Sequence, residues 1–489
     1  MAELTIIRNE NRITVPFEGA VLLDTLLEKA GIRTPHPCGG RGSCGKCSVV
    51  LSGDVSEPNA AEKRAGVRLS CQAMILGDAT VVLPDENTDQ QIETGTAEQP
   101  MVLRPMAGTL GAAVDIGTTT VAVKLFSLEN GECVGTAAGL NPQGTVAADV
   151  MGRIEAAMKG ELPLLQKQIT DAVKALLQEA GREVGMPDVL VITGNTTMLY
   201  LLTGRDPACL SRAPFIADTL FDTDTELYGQ RVYLPPCMNA LVGADITTAV
   251  LSSGMCEKDE VSLLCDIGTN GEMALWKDGV LYVTSTAAGP AFEGAGISCG
   301  CGSVRGAIDR VWLEDGEICV HTLGDAEAVG ICGSGLIDAI AAGLESEQID
   351  ETGAMDDDEL PLSGDVALQP QDIRAVQLAK AAIAAGMEML AETAGVSMDE
   401  IKTLYIAGGF GSHLNVESAV KIGLLPETLS DRAKILGNAA LSGAVQVLLD
   451  RDARGVLSTI AAKSQHVNLG GNPKFNEKYI DRMFFGDDF

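Results

Sequence analysis

The sequence predicts two folds in one chain. The first is a small α+β unit with the β-grasp order of elements, over residues 1–86; the second is a larger α/β unit built from two related halves, over residues 111–489. Three observations predict this. Short strands frame one amphipathic helix between residues 3 and 84. A polar stretch with little periodicity interrupts the chain at 85–110. The tetrapeptide Asp-Ile-Gly-Thr occurs twice, at 115–118 and 266–269, each time inside a strand–turn–strand–turn–strand pattern. Recurrence of the flanks along with the tetrapeptide marks an internal duplication.

In the first unit, "LTIIRN" and "RITVPF" read as a hairpin turning around Asn9–Asn11, because β-rich residues flank a polar turn. "GAVLLDTLLEKAG" places Leu22, Leu23, Leu26, Leu27 and Ala30 on one helical face, with Gly31 at the stop position. "CSVVLSG" and "TVVLP" supply two more strands. The polar segment "DENTDQQIETGTAEQPMVLRPMAGTL" reads as a linker. Beyond it, "KGELPLLQKQITDAVKALLQEAG" and "DIRAVQLAKAAIAAGMEMLAETAG" carry apolar residues at helical spacing. The acidic segment 345–365 lacks the carboxylate and glycine spacing of a calcium loop and reads as a solvated surface insertion.

Composition narrows the function. The chain has 489 residues and a formal net charge of −32; a field of that sign repels nucleic acid and anionic membranes. It suits solubility, or docking to basic protein faces. "MAELTIIRNE" has no leader pattern and no apolar run reaches spanning length, so a cytoplasmic protein is expected. There the thirteen cysteines serve as thiols or metal ligands rather than disulfides. Only four histidines are present, so imidazole chemistry is not the theme.

Cys38, Cys44 and Cys47 form C-x5-C-x2-C, and Cys71 follows in "RLSCQAM". Thiolates spaced three on one loop and one distant suit an iron–sulfur cluster. Gly39, Gly40, Gly42 and Gly45 let backbone N–H groups approach the sulfurs. The alternative is a four-thiolate zinc site, but zinc ligands usually come as two short clips, and only one is present. His36 is a loop residue beside the site. The segment resembles the [2Fe–2S] ferredoxins, with the first gap of the adrenodoxin-like group; that implies a one-electron carrier held by Cys38, Cys44, Cys47 and Cys71.

"DIGTTT" and "DIGTNGE" each put an Asp at a strand end, then Gly, then hydroxyl or amide side chains. Such turns grip phosphate: Gly117 and Gly268 allow close approach, and Thr118, Thr119, Thr269 and Asn270 donate hydrogen bonds. The carboxylates of Asp115 and Asp266 can hold a hydrated Mg2+ through its waters. "GICGSGLIDAI", with Gly333 and Gly335, is a glycine loop opening a helix whose N-terminus can face an anion. "LYIAGGFGSHL", with Gly408, Gly409 and Gly411, offers bare backbone to adenosine or the α-phosphate. Taken singly, each of these turns is also compatible with a tight turn that needs no ligand.

In this order the motifs resemble the actin-like ATPase superfamily of sugar kinases, acetate kinases and heat-shock chaperones. "VGADITTA" and "GNAALSGA" look like its two small-residue hinge helices. The resemblance implies two lobes with ATP and Mg2+ between them: lobe I over 111–255, and lobe II over 256–489 with a C-terminal return to lobe I, joined to the ferredoxin unit by a linker at 87–110.

A [2Fe–2S] unit ahead of such an ATPase resembles the reductive activators of corrinoid-dependent enzymes. "GNTTM", "EGAGISCG", "DIRAVQLAKAAI" and the loops above read like that family. The resemblance implies ATP-dependent transfer of one electron to an inactive Co(II) corrinoid protein of a methyltransferase system, restoring Co(I). It also implies an external low-potential electron donor and a homodimer. Asp115 and Asp266 would organise Mg2+, and Glu272 would orient the attacking water, unless it is only a hairpin residue paired with a lysine. The short linker departs from relatives with an extra domain. Cys299, Cys301 and Cys332 near glycine turns lack an evident fourth ligand and read as ordinary thiols. Two other functions compete: a redox-sensing small-molecule kinase with Asp245 as base, and a nucleotide-gated iron–sulfur binding module.

Overall fold

The computed structural model describes residues 2–8, 11–32, 34, 47–65, 67–83, 103–355, 357–409 and 413–486. Two compact units emerge, residues 1–89 with 142–156, and residues 90–141 with 157–489.

In the N-terminal unit alternation sets the sheet. Leu4 and Ile6 of Ala2–Arg8, Val15 and Phe17 of Asn11–Phe17, and Ile75 and Val81 of Met74–Val82 point to one buried face. The first two strands pair antiparallel from Ala2↔Phe17 to Arg8↔Asn11. The third lies parallel to the first, with Leu4 opposite Ala79. Ser48–Val55 pairs with the far side of Met74–Val82 and carries Arg68–Leu69 at its edge. Helix Leu23–Lys29 closes the core with Leu23, Leu26 and Leu27. This is the expected β-grasp arrangement. Leu22 is a correction: it pairs with Met74 as a short strand, Val21–Leu22, and the helix begins one residue later.

The second unit repeats one sheet design. In the first sheet, Leu110–Ile116 has an antiparallel hairpin, Thr120–Ser127 and Cys133–Leu140, on one side. On its other side, Val189–Gly194 and Gln230–Leu234 run parallel to it. In the second sheet, Ser262–Ile267 has the hairpin Gly271–Lys277 and Val280–Thr286 on one side. Thr403–Ala407 and Ala433–Gly437 run parallel on the other. The duplication inferred from one tetrapeptide therefore extends to five strands in each half. Every residue of Val189–Gly194 and Thr403–Ala407 is buried, as expected for parallel strands covered on both faces.

Between the sheets pack helices Ala244–Ser253 and Ala439–Leu449, in a shared core with Ala113, Val191, Leu264 and Tyr405. They cross closely at Gly443, where a β-carbon would lie 2.0 Å from the Thr248 carbonyl oxygen. Ser252 fastens the pair by donating to the Ala439 carbonyl at 2.9 Å. Helices Leu162–Ala180 and Pro370–Ala394 cover the outer faces with the expected apolar stripes. The acidic insertion is not simply a solvated loop. Ile349 and Leu360 anchor it in the second core, and Leu360–Ser363 pairs with Val366–Leu368.

Candidate functional site: a thiol pair and an acidic cleft

Cys47 precedes strand Ser48–Val55, and Cys71 lies in the turn after Arg68–Leu69. Their sulfurs approach to 3.3 Å, both are buried, and neither is in a disulfide. The Ser70 amide donates to the Cys47 carbonyl at 2.9 Å, which fixes one cysteine segment against the other. Glu62 braces the same turn. It accepts from Arg68 Nε at 2.9 Å, the Leu69 amide at 3.1 Å and the Asn59 amide at 3.0 Å. Burial alone would raise its pKa, but these donors hold it below the ordinary carboxylate value. Two buried thiols, not joined in a disulfide and meeting from distant segments, fit ligands of one shared centre. Cys38, Cys44, His36 and the loop glycines lie outside the described residues.

The second unit holds a cleft of about 240 Å³. Asp115 and Asp266 occupy the same place in both halves, one residue before the end of the central strand. Gly117, Thr118, Thr119, Gly268, Thr269, Asn270 and Glu272 line the same space, together with Gly333, Gly408 and Gly409. The first turn needs glycine: a β-carbon at Gly117 would come within 2.9 Å of the Thr120 oxygen. So does Gly408, at φ +101°, where a β-carbon would lie 2.6 Å from the Ile267 oxygen. Gly409 faces open space. Gly335 is not among the lining residues; its backbone packs on the Ile308 carbonyl, where a β-carbon would come within 2.3 Å. Gly411 lies outside the described residues.

Several lining residues escape the sequence-based selection. Asn195 caps helix Thr196–Leu202 and donates to Thr118 Oγ1 at 3.2 Å. Asn438 caps helix Ala439–Leu449 and donates to Asp115 Oδ2 at 2.9 Å. Glu293, on the turn Pro290–Glu293, accepts from Thr119 and Thr269. His413 lines the cleft as well, as does Asp245, the base of the kinase alternative. A findable signal existed for the two asparagines: each follows a glycine at a strand end and precedes a helix, the setting Asn favours as a cap.

The cleft is strongly acidic. Asp115, Asp245 and Asp266 keep an edge open to it but are surrounded by protein at depth. Burial raises Asp115 to about 6, with Asn438 offsetting part of the rise. Burial, then the neighbouring charges, raises Asp266 to about 7 and Asp245 to about 8. Glu272 is pushed well above its ordinary value by burial and by Asp245 and Asp266, and its Oε1 has no hydrogen-bond partner. Among the described lining residues there is no lysine or arginine. Such a site fits a divalent cation carried with a polyphosphate. Among the described residues no three or more His, Cys, Asp or Glu side chains are grouped to hold an ion directly. Cys301 and Cys332 line the cleft, while Cys299 turns away to donate to the Ala367 carbonyl at 3.2 Å.

Comparison with known proteins follows the same division. Residues 4–76 match the 2Fe-2S iron-sulfur cluster binding domain, 110–258 the RACo middle region, and 260–488 the C-terminal ASKHA domain of RACo. Corrinoid activation enzyme RamQ of Eubacterium limosum is 34% identical over 422 residues, covering 77% of this chain and 70% of RamQ. The chain belongs to the RACo family of reductive corrinoid activators. A second family relative, a Co(II) methylated amine-specific corrinoid protein reductase of Methanosarcina barkeri, is 24% identical over 416 residues and covered to 77% in both chains. The solved structure of a reductive activator for corrinoid, iron-sulfur protein superposes with a TM-score of 0.74 at 27% identity, over 99% of this chain and 98% of that one. Membership in the RACo family thus accounts for the β-grasp unit and the duplicated actin-like unit together. Among the described residues no helix is long and apolar enough to cross a membrane.

Proposed function

We propose that this chain uses ATP to pass one electron from a [2Fe–2S] cluster to a Co(II) corrinoid protein, restoring the Co(I) state needed for methyl transfer. The observation that carries this is the match to a reductive activator over 99% of the chain, which takes in the cysteine unit and the cleft together. A redox-sensing kinase or a nucleotide-gated iron–sulfur module would also use both the cysteine unit and the cleft, but the relatives covering most of the chain are named for corrinoid activation.

Cys38, Cys44, Cys47 and Cys71 would hold the cluster, which supplies a one-electron carrier when bound. The close approach of Cys47 and Cys71 supports their part. In the cleft, Asp115 and Asp266 would hold Mg2+ through its waters, which would relieve the burial of both carboxylates. Thr118, Thr119, Thr269 and Asn270 would donate to phosphate oxygens, and Gly333 opens a helix whose N-terminus faces the cleft. Gly408 and Gly409 leave bare backbone for adenosine. Glu272, with a free carboxylate oxygen, would orient the attacking water. Nucleotide biases the corrinoid reaction only through its different affinity for the two states of the cleft. That bias is useful because each 59 mV of one-electron mismatch costs about a factor of ten. An external low-potential donor would refill the carrier. The chain would act as a homodimer in the cytoplasm, where thiols remain reduced.

The test is anoxic. Purified protein, a chemical reductant, Mg-ATP and a Co(II) corrinoid protein are mixed, and the Co(I) absorption band is followed. Reduction should require ATP. Equal reduction without ATP would overturn the proposal.

A further inference from the structure

Glu293 stands at the end of the turn Pro290–Glu293, and its carboxylate reaches both phosphate hairpins. Oε1 accepts from the Thr269 amide at 2.7 Å and from the Thr269 hydroxyl at 2.9 Å. Oε2 accepts from the Thr119 hydroxyl. The two hydroxyl oxygens, one from each half, are only 3.4 Å apart. These are the donors that the proposed function gives to phosphate. A threonine hydroxyl has one proton to donate, so a phosphate oxygen and Glu293 cannot both take it. The cleft's described lining has no lysine or arginine to let two anions share the place.

We propose that Glu293 is an internal competitor for phosphate, expelled from both hairpins when nucleotide binds. The inference rests on the nucleotide reading of the cleft. Gly289 and Gly294 flank the turn at φ +83° and +74°, a conformation that favours glycine. Its Phe292 is buried, and the turn packs against helices Gly333–Glu345 and Pro370–Ala394. Displacing the carboxylate therefore presses on two long helices of the second half. Glu293 is a positioning residue in this account: it sets the cost of nucleotide entry and carries the news of it outward.

Two measurements on the full, cluster-loaded protein test this. Mg-ATP affinity is compared by calorimetry for the wild type, Glu293→Gln and Glu293→Asp. The Gln variant keeps the shape and loses the charge, and charge-assisted hydrogen bonds are about twice as strong as neutral ones. It should bind Mg-ATP about tenfold more tightly. The Asp variant keeps the charge but is too short to span both hairpins, and should fall between. Hydrogen exchange of the wild type, which needs no variant, should show faster exchange at 289–296 on adding Mg-ATP. Weaker or unchanged binding in the Gln variant overturns the proposal by assigning Glu293 to ion binding or to scaffolding. Slower or unchanged exchange at 289–296 overturns it as well. Absence of Mg-ATP binding in all three proteins would sink the nucleotide reading and this inference with it.

Discussion

Asp245 opens helix Ala244–Ser253, where the helix dipole favours an anion, yet it is pushed up to about 8 by burial and by Asp115 and Asp266. Asp115 rises to about 6 through burial alone, and Asp266 to about 7 through burial and then the charges of Asp115 and Glu293. The sign of the consequence follows from proton counting. These groups bind protons in the folded chain at pH values where the unfolded chain has released them. Their stabilising contribution is thus complete below the unfolded value of 3.8 and is lost as pH rises through 6 to 8. A divalent cation removes the repulsion, and has more repulsion to remove at high pH. We expect the rise in melting temperature on adding Mg-ATP to be larger at pH 8 than at pH 6, with net proton release on binding. An equal rise at both would show that these carboxylates do not face the ion. Asp115 and Asp266 were legible in the sequence because an Asp at a strand end followed by Gly-Thr is a local pattern. Glu293 heads the motif "EGAGISCG", but its role was not legible, since its partner Thr119 is 174 residues away.

At the scale of elements, the packing between the two sheets of the second unit depends on how closely two helices cross. Gly443 brings Ala439–Leu449 against the backbone of Thr248, and a methyl there would meet a carbonyl that belongs to a fixed helix. Gly443→Ala should destabilise the protein by about 1–3 kcal/mol and weaken Mg-ATP binding, because the same helix carries Asn438 to Asp115. Gly455, exposed on helix Ala453–Ala462 with nothing near its missing side chain, is the control. Gly455→Ala should stabilise by about 0.5–1 kcal/mol through helix propensity alone. Melting curves of both variants check this, and a neutral Gly443→Ala would refute the tight crossing. The small-residue runs around both hinge helices made these elements readable, since Gly, Ala and Thr at close spacing have little use except close packing. The insertion at 345–365 was harder to read. Its charge suggested a solvated loop, yet scattered apolar residues, Ile349 and Leu360 with Met355 and Leu362 beside them, anchor it to the core.

At the scale of the molecule, the sequence read well where chemistry is local and poorly where it is assembled. The cysteine spacing, the duplicated hairpins and the glycine loops are each written in a dozen residues. The asparagine caps and the carboxylate cluster come together only through sheet topology that joins residues 115, 245, 266, 272 and 438. The protein has two sites of separate chemistry, buried thiols in one unit and buried carboxylates in the other. Each should therefore fail alone. Cys47→Ser should lose the visible colour of the cluster and keep Mg-ATP affinity, because Cys47 is not among the described residues that line the cleft. Asp266→Asn should keep the colour and lower nucleotide-driven turnover about a hundredfold, the scale of losing one well-placed electrostatic group. Both should abolish ATP-dependent Co(I) formation in the anoxic assay, since the reaction needs electron and nucleotide in one chain. Mixing the two variants tests whether the coupling runs within a chain. If each electron is driven by its own chain's cleft, the mixture stays inactive. If the mixture regains Co(I) formation, a cleft in one chain drives the cluster of another, and coupling within one polypeptide is refuted.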